Sequence, residues 1–110
     1  MGQEQQELVG KTVDMAGLVE CQDGAVVSRT IIERETGTVT LFAFAEGQGL
    51  SEHTTPYDAM VYVLDGSAQI TIATETHTVA AGQMLIMPAD VPHALHADEA
   101  FKMLLVMIKS

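Results

Sequence analysis

The chain has no tryptophan, one cysteine, three prolines and only five Lys or Arg residues in 110. Each scarcity excludes something. A lone Cys21 cannot close an internal disulfide, which suits a reducing compartment. Five scattered basic residues against fifteen acidic ones leave a formal net charge of −10. Phosphate backbones need clustered Lys and Arg, so nucleic acid is not expected as a partner. An acidic surface is equally unsuited to anionic membranes. No apolar run approaches the roughly 20 residues of a membrane span. The opening MGQEQQELVG has no apolar core of the kind a secretory signal needs. Gln6 stands where a myristoylation signal beginning at Gly2 would need Ser or Thr. A cytoplasmic protein with no nucleic-acid or membrane partner is the expectation.

What is present is enough apolar material for a core: 47% of residues are hydrophobic, over a length that fits one domain. No stretch keeps a 3.6-residue apolar period for three turns, and no Gly/Ser linker, low-complexity segment or solenoid repeat divides the chain. Residues 1–7 are polar and expected to be frayed or weakly helical, and 8–19 to form a short edge strand or a covering segment. Turn signals at Asp23-Gly24, 35–37, Asp65-Gly66, 74–76 and Asp98-Glu99 then punctuate runs rich in Val, Ile, Thr, Leu and Met. Strands are predicted over 25–33, 38–45, on both sides of Pro56, and over 67–73, 77–80 and 84–87. Another follows Pro92, and the last covers 101–108. Eight or nine short strands at a spacing of about 8–12 residues suit an all-β sandwich or barrel. Asp65-Gly66, between two apolar runs, predicts a hairpin, because Gly accepts positive φ.

Two stretches carry the chemistry. GQGLSEHTTPYDAMVYVLDG (47–66) places His53 and Thr55 two residues apart, hence on one face of a strand. Tyr57 and Ala59 keep that parity if the strand continues past Pro56. GQMLIMPADVPHALH (82–96) repeats the logic: turn glycine, short apolar strand, proline loop, then His93 opening the next strand. The spacings Gly47-x5-His53-x-Thr55-x3-Ala59-x6-Gly66 and Gly82-x5-Pro88-x-Asp90-x2-His93-x3-Ala97 resemble the two motifs of the small single-domain cupins. The resemblance covers residues 38–108. It implies an all-β fold, a double-stranded β-helix or jelly-roll cupin barrel. The expected layout is one domain over 1–110, with 1–20 as a covering N-terminal segment and 38–108 as the conserved-barrel core.

In that family the positions of His53, Thr55, Ala59 and His93 hold one divalent metal. Here a methyl group and a hydroxyl replace two ligands, and neither substitutes for imidazole or carboxylate. Catalytic zinc usually keeps three protein ligands. A divalent Fe, Mn, Ni or Zn would therefore rest on His53 and His93 alone. His96, three residues after His93, points to the other strand face, and Glu52 and Asp58 have the wrong parity. The expected pocket comprises His53, Thr55, Tyr57, Ala59 and His93, with Val61, Val63 and Leu85 as apolar walls. Against that stand simpler roles. Thr55 is a natural strand former, Ala59 a space filler, Tyr57 and Tyr62 packing groups, and Cys21 a small buried hydrophobe. Met84, Met87, Met103 and Met107 read as core or interface rather than ligands.

Three functions fit. The first is a metal-independent cupin binding a small polar or carboxylated molecule in its barrel. The second is a metal-dependent dioxygenase or isomerase with a reduced ligand set. The third is a metal-free sugar isomerase or epimerase, with His53 or His93 as base and Tyr57 or Tyr62 as acid. Arg29 and Arg34 are the only arginines, which weighs against nucleotide sugars. Strands 38–45 and 101–108 are apolar on both faces, so a homodimer is expected to cover the face a barrel leaves outside.

Overall fold

A computed structural model describes residues 7–109. The expectation for residues 1–6 lies outside the described residues. Among the described residues a 3-10 turn, Met15–Leu18, precedes nine strands. They are β1 (Val26–Arg34), β2 (Gly37–Phe44), β3 (Gly49–His53), β4 (Ala59–Asp65), β5 (Ser67–Ile72), β6 (Glu75–Ala80), β7 (Met84–Met87), β8 (His93–His96) and β9 (Phe101–Ile108). They form two antiparallel sheets, ordered β1-β2-β9-β4-β7 and β3-β8-β5-β6. The fold is the expected all-β jelly roll. Among the described residues no helix is long and apolar enough to cross a membrane.

Period-2 patterning builds the interior. Ala59, Val61 and Val63 of β4, Phe101 and Met103 of β9, and Ala68 and Ile70 of β5 are buried between the sheets. Phe44 joins them, its ring stacked on Phe101 at 4.5 Å and 11°. Each of the Val, Ile, Met and Phe side chains contributes about 1.5–3 kcal/mol by leaving water.

The turns differ from their sequence signals in one important place. Asp65-Gly66 does not form a hairpin, because β4 lies between β9 and β7 while β5 lies between β8 and β6 in the other sheet. Only Gly66 separates the two strands, too few residues for a two-residue hairpin loop. It is instead the corner where the chain changes sheets, at φ +75°. A Cβ there would lie 2.4 Å from the Ala100 carbonyl oxygen, so both the angle and the space require glycine. Tight two-residue hairpins instead join β1 to β2 through Glu35-Thr36 and β5 to β6 through Ala73-Thr74, with Ala73 at φ 54°.

Residues 15–19, ahead of β1, form a cover. Val19 is buried with Leu41 and Ala43 on the outer face of β2, and Leu18 packs against them. Lys102 Nζ of β9 donates to the Ala16 carbonyl at 2.8 Å and holds the cover down. Part of the second apolar face is thus buried within the chain itself. Cys21, expected to be buried, is exposed, with its thiol toward the Phe44 carbonyl at 3.5 Å.

Candidate functional site

β3 and β8 are neighbours in the four-stranded sheet, and His53 pairs directly with His93 in their register. Two local features make this pairing. Gly49 lets the backbones close up, since a Cβ there would lie 2.3 Å from the Leu95 carbonyl oxygen. A register shift between Leu50 and His53 then rotates the strand end. Residues three apart face opposite sides of a regular strand, but across this bulge Leu50 and His53 line the same cavity. The flanking loops are latched together. Asp90 N–H donates to the Thr55 carbonyl at 2.8 Å, and Ala89 N–H donates to Asp58 Oδ1 at 2.8 Å.

The two imidazoles meet edge to face, with centroids 4.4 Å apart and planes at 72°. Their Nε2 atoms are 3.1 Å apart. His53 Nδ1 lies 2.9 Å from the Ser51 carbonyl oxygen, and His93 Nδ1 lies 3.3 Å from that of Val91. A carbonyl only accepts, so both Nδ1 atoms must carry hydrogen to satisfy these contacts. Two neutral rings would then turn two Nε2 lone pairs on each other. One added proton or cation, or a ligand that donates, resolves the conflict. His93 is buried, at 4% exposure, while His53 is exposed at the mouth. Burial pushes the His93 pKa below its ordinary 6.5; a charge on His53 pushes the same way, and the Val91 carbonyl opposes both.

The pair opens onto a cavity of about 40 Å³. In this measure a water needs roughly 10–15 Å³, so the space holds a few heavy atoms. Beyond the histidines its walls are apolar: Ala59, three leucines, and the thioether side chains of Met87, Met103 and Met107. Of the sequence-predicted pocket residues, the structure brings His53, Ala59 and His93 together here. Thr55 and Tyr57 are not among the lining, because β3 stops at His53 and the Pro56 loop breaks the parity. The Thr55 hydroxyl donates to the Tyr57 carbonyl at 3.1 Å, holding that loop. Val61 and Val63 belong to the packed core rather than the cavity wall, and Leu85 packs against that core. Tyr62 sits between them on the opposite face of β4. Sequence parity missed the bulge and the methionines. Met87, Met103 and Met107 share inward parity with known core positions, a signal readable once the strands are paired.

A protein-family model described as the cupin domain matches residues 40–108. The chain belongs to the cupin family. This cupin is 44% identical to a conserved protein of unknown function from Streptococcus pyogenes; the match covers 92% of this chain and 89% of that one, with a TM-score of 0.88. A cupin superfamily protein from Desulfitobacterium hafniense is 27% identical over 92% of this chain and 93% of its own, at a TM-score of 0.87. A cupin 2 conserved barrel domain protein from Leptotrichia buccalis is 36% identical over 86% of this chain and 46% of its own, at a TM-score of 0.83. No curated protein matches the sequence.

The divalent metal associated with many cupins does not fit the donors present. Among the described residues no group of three His, Cys, Asp or Glu comes together. The Ala59 methyl occupies the carboxylate position, and the Thr55 hydroxyl is committed to a backbone carbonyl. His96 faces outward beside Asp98, at 3.3 Å.

Proposed function

We propose that this cupin is a cytoplasmic binding protein. Its barrel takes a small polar or carboxylated molecule, held by His53 and His93 without a tightly bound divalent metal. One observation carries this: two imidazoles converge on a small, otherwise apolar cavity, with their Nε2 atoms 3.1 Å apart. A hydroxyl, or a carboxylic acid bringing its own proton, would supply the hydrogen that both lone pairs lack. The three leucines would receive the apolar part of the ligand. The cavity's size favours a compact molecule, or one whose larger part stays outside. The proton-transfer alternative has less support, because neither Tyr57 nor Tyr62 lines the cavity with the histidines.

A thermal-shift screen of small acids, polyols and sugars tests the reading. A ligand at a hundredfold excess over its Kd adds about 2.7 kcal/mol of stability, or roughly 10 °C for a domain of this size. The shift should vanish in His53→Ala and in His93→Ala. Hits whose shift persists in both variants would place binding elsewhere and overturn the proposal.

The same reading includes a homodimer. On the outer face of the five-stranded sheet, one register row runs Ile32, Val39, Val106, Met60, Ile86 across all five strands. Its ends are bare, at 47% exposure for Ile32 and 53% for Ile86, and Ile108 in the next row is 55% exposed. The N-terminal cover reaches Leu41 and Ala43 but leaves these exposed. A second copy of the chain is the partner that matches an apolar face of this kind.

A further inference from the structure

The state of the histidine pair depends on a loop outside the cavity. Residues 88–92 join β7 to β8 and end at His93. This loop supplies the Val91 carbonyl that faces His93 Nδ1 at 3.3 Å, a long contact for a hydrogen bond. A competitor is closer: His53 Nε2 lies 3.1 Å from His93 Nε2. With its hydrogen on Nε2, His93 would donate to His53 and end the opposition of two lone pairs. The nitrogen of an imidazole that bears the hydrogen is set by the bond the other nitrogen makes. The weaker Val91 contact therefore prevails only while the loop is held in place.

The loop is tied to its neighbours. Ala73 N–H donates to the Pro92 carbonyl at 2.8 Å, and Asp90 N–H donates to the Thr55 carbonyl at 2.8 Å. Both donors sit at positive φ, 54° for Ala73 and 65° for Asp90. Side-chain-bearing residues keep such angles where their surroundings impose them, so backbone strain is gathered on this loop. The side-chain tie is Asp58, whose Oδ1 accepts the Ala89 N–H at 2.8 Å. A carboxylate acceptor makes this bond charge-assisted and stronger than its neutral counterparts. Asp58 is itself well placed: it precedes Ala59, which pairs with Met87 of β7 and Met107 of β9, and its carbonyl accepts the Ile108 N–H at 3.4 Å.

We propose that Asp58 is a positioning residue for His93. Its carboxylate holds loop 88–92 so that His93 keeps its hydrogen on Nδ1 and presents a bare Nε2 to the cavity. This rests on the binding reading above, since a donating ligand is what the bare nitrogen serves. The tautomer is read on the ligand-free protein, so a failed ligand screen and a failed tautomer test are separate results.

The test uses long-range proton–nitrogen correlation spectra of the imidazole rings, on the full untagged chain at pH 8. In the wild type, His93 Nδ1 should resonate as a protonated nitrogen and Nε2 as a lone-pair nitrogen. Asp58 is exposed, so its truncation leaves no cavity. Asp58→Ala should shift the His93 tautomer ratio toward Nε2–H by about fivefold, the worth of one ordinary hydrogen bond. The Ala89 amide should also exchange faster. Asp58→Asn keeps an oxygen acceptor and should restore the wild-type pattern, which a general loss of stability would not explain. A wild-type His93 already in the Nε2–H tautomer would overturn the proposal without any variant. So would an Asp58→Ala spectrum identical to the wild type, or an Asp58→Asn spectrum that matches Asp58→Ala.

Discussion

His93 sits at 4% exposure and is kept neutral mainly by that burial, so its titration is linked to folding. The folded-state pKa lies below the unfolded value of 6.5. Above pH 6.5 the ring is neutral in both states, and its contribution to stability is fully present. As pH falls through 6.5 toward the folded pKa, the unfolded chain takes up the proton first and stability is lost. The melting temperature of the wild type should therefore drop between pH 7 and 5 more steeply than that of His93→Gln. Parallel curves for the two proteins would show that His93 is not the linked group. The two histidines were legible in the sequence as a pair because motif spacing put each at the edge of a strand. Their contact was not, since it depends on the pairing of β3 with β8 and on the bulge after Leu50. Thr55 and Tyr57 fell outside the cavity for the complementary reason. Parity holds only while a strand continues, and β3 ends before Pro56.

At the scale of elements, the corner at Gly66 decides which sheet each following strand enters. A left-handed φ costs a non-glycine residue about 1–3 kcal/mol. Here a Cβ would also press on the Ala100 carbonyl oxygen and on Phe101, both backbone-anchored. Gly66→Ala should lower stability by at least about 2 kcal/mol, read as a shift in the urea midpoint with an unchanged slope. Gly24→Ala makes a useful control: its φ is +71° but nothing lies within 4 Å of the added carbon. If the two variants lose equal stability, backbone angle alone is responsible and the close approach contributes nothing. The glycine itself was conspicuous in the sequence. Its role was misread because a hairpin turn and a sheet-to-sheet corner both call for positive φ, and only the partners of β4 and β5 tell them apart. The β5–β6 hairpin, at Ala73-Thr74, has no glycine to announce it, whereas the β1–β2 hairpin at Glu35-Thr36 is followed by Gly37.

For the whole molecule, the outer face of the five-stranded sheet poses the remaining question. Its central columns are partly covered by residues 15–19, pinned through Lys102, while Ile32, Ile86 and Ile108 stay exposed. Light scattering coupled to size exclusion should give twice the 11.8 kDa chain mass, and Ile86→Lys with Val106→Lys should return the protein to the monomer. A wild type that elutes only as an 11.8 kDa species would remove the homodimer.

Taken alone, the sequence determined the class of architecture and the approximate number of short strands. These follow from alternation and turn chemistry within a few neighbouring residues. Composition likewise disfavoured nucleic acid and phosphate-rich partners, because charge adds up regardless of fold. Tertiary structure decided everything that depends on which strand lies beside which. It set the meeting of His53 with His93 at 3.1 Å, and the methionine walls drawn from β7 and β9. It also made Gly66 a corner and residues 15–19 a cover. The physical reason is that local pattern fixes where a side chain points along its own strand, while its neighbours across the barrel are set by long-range register.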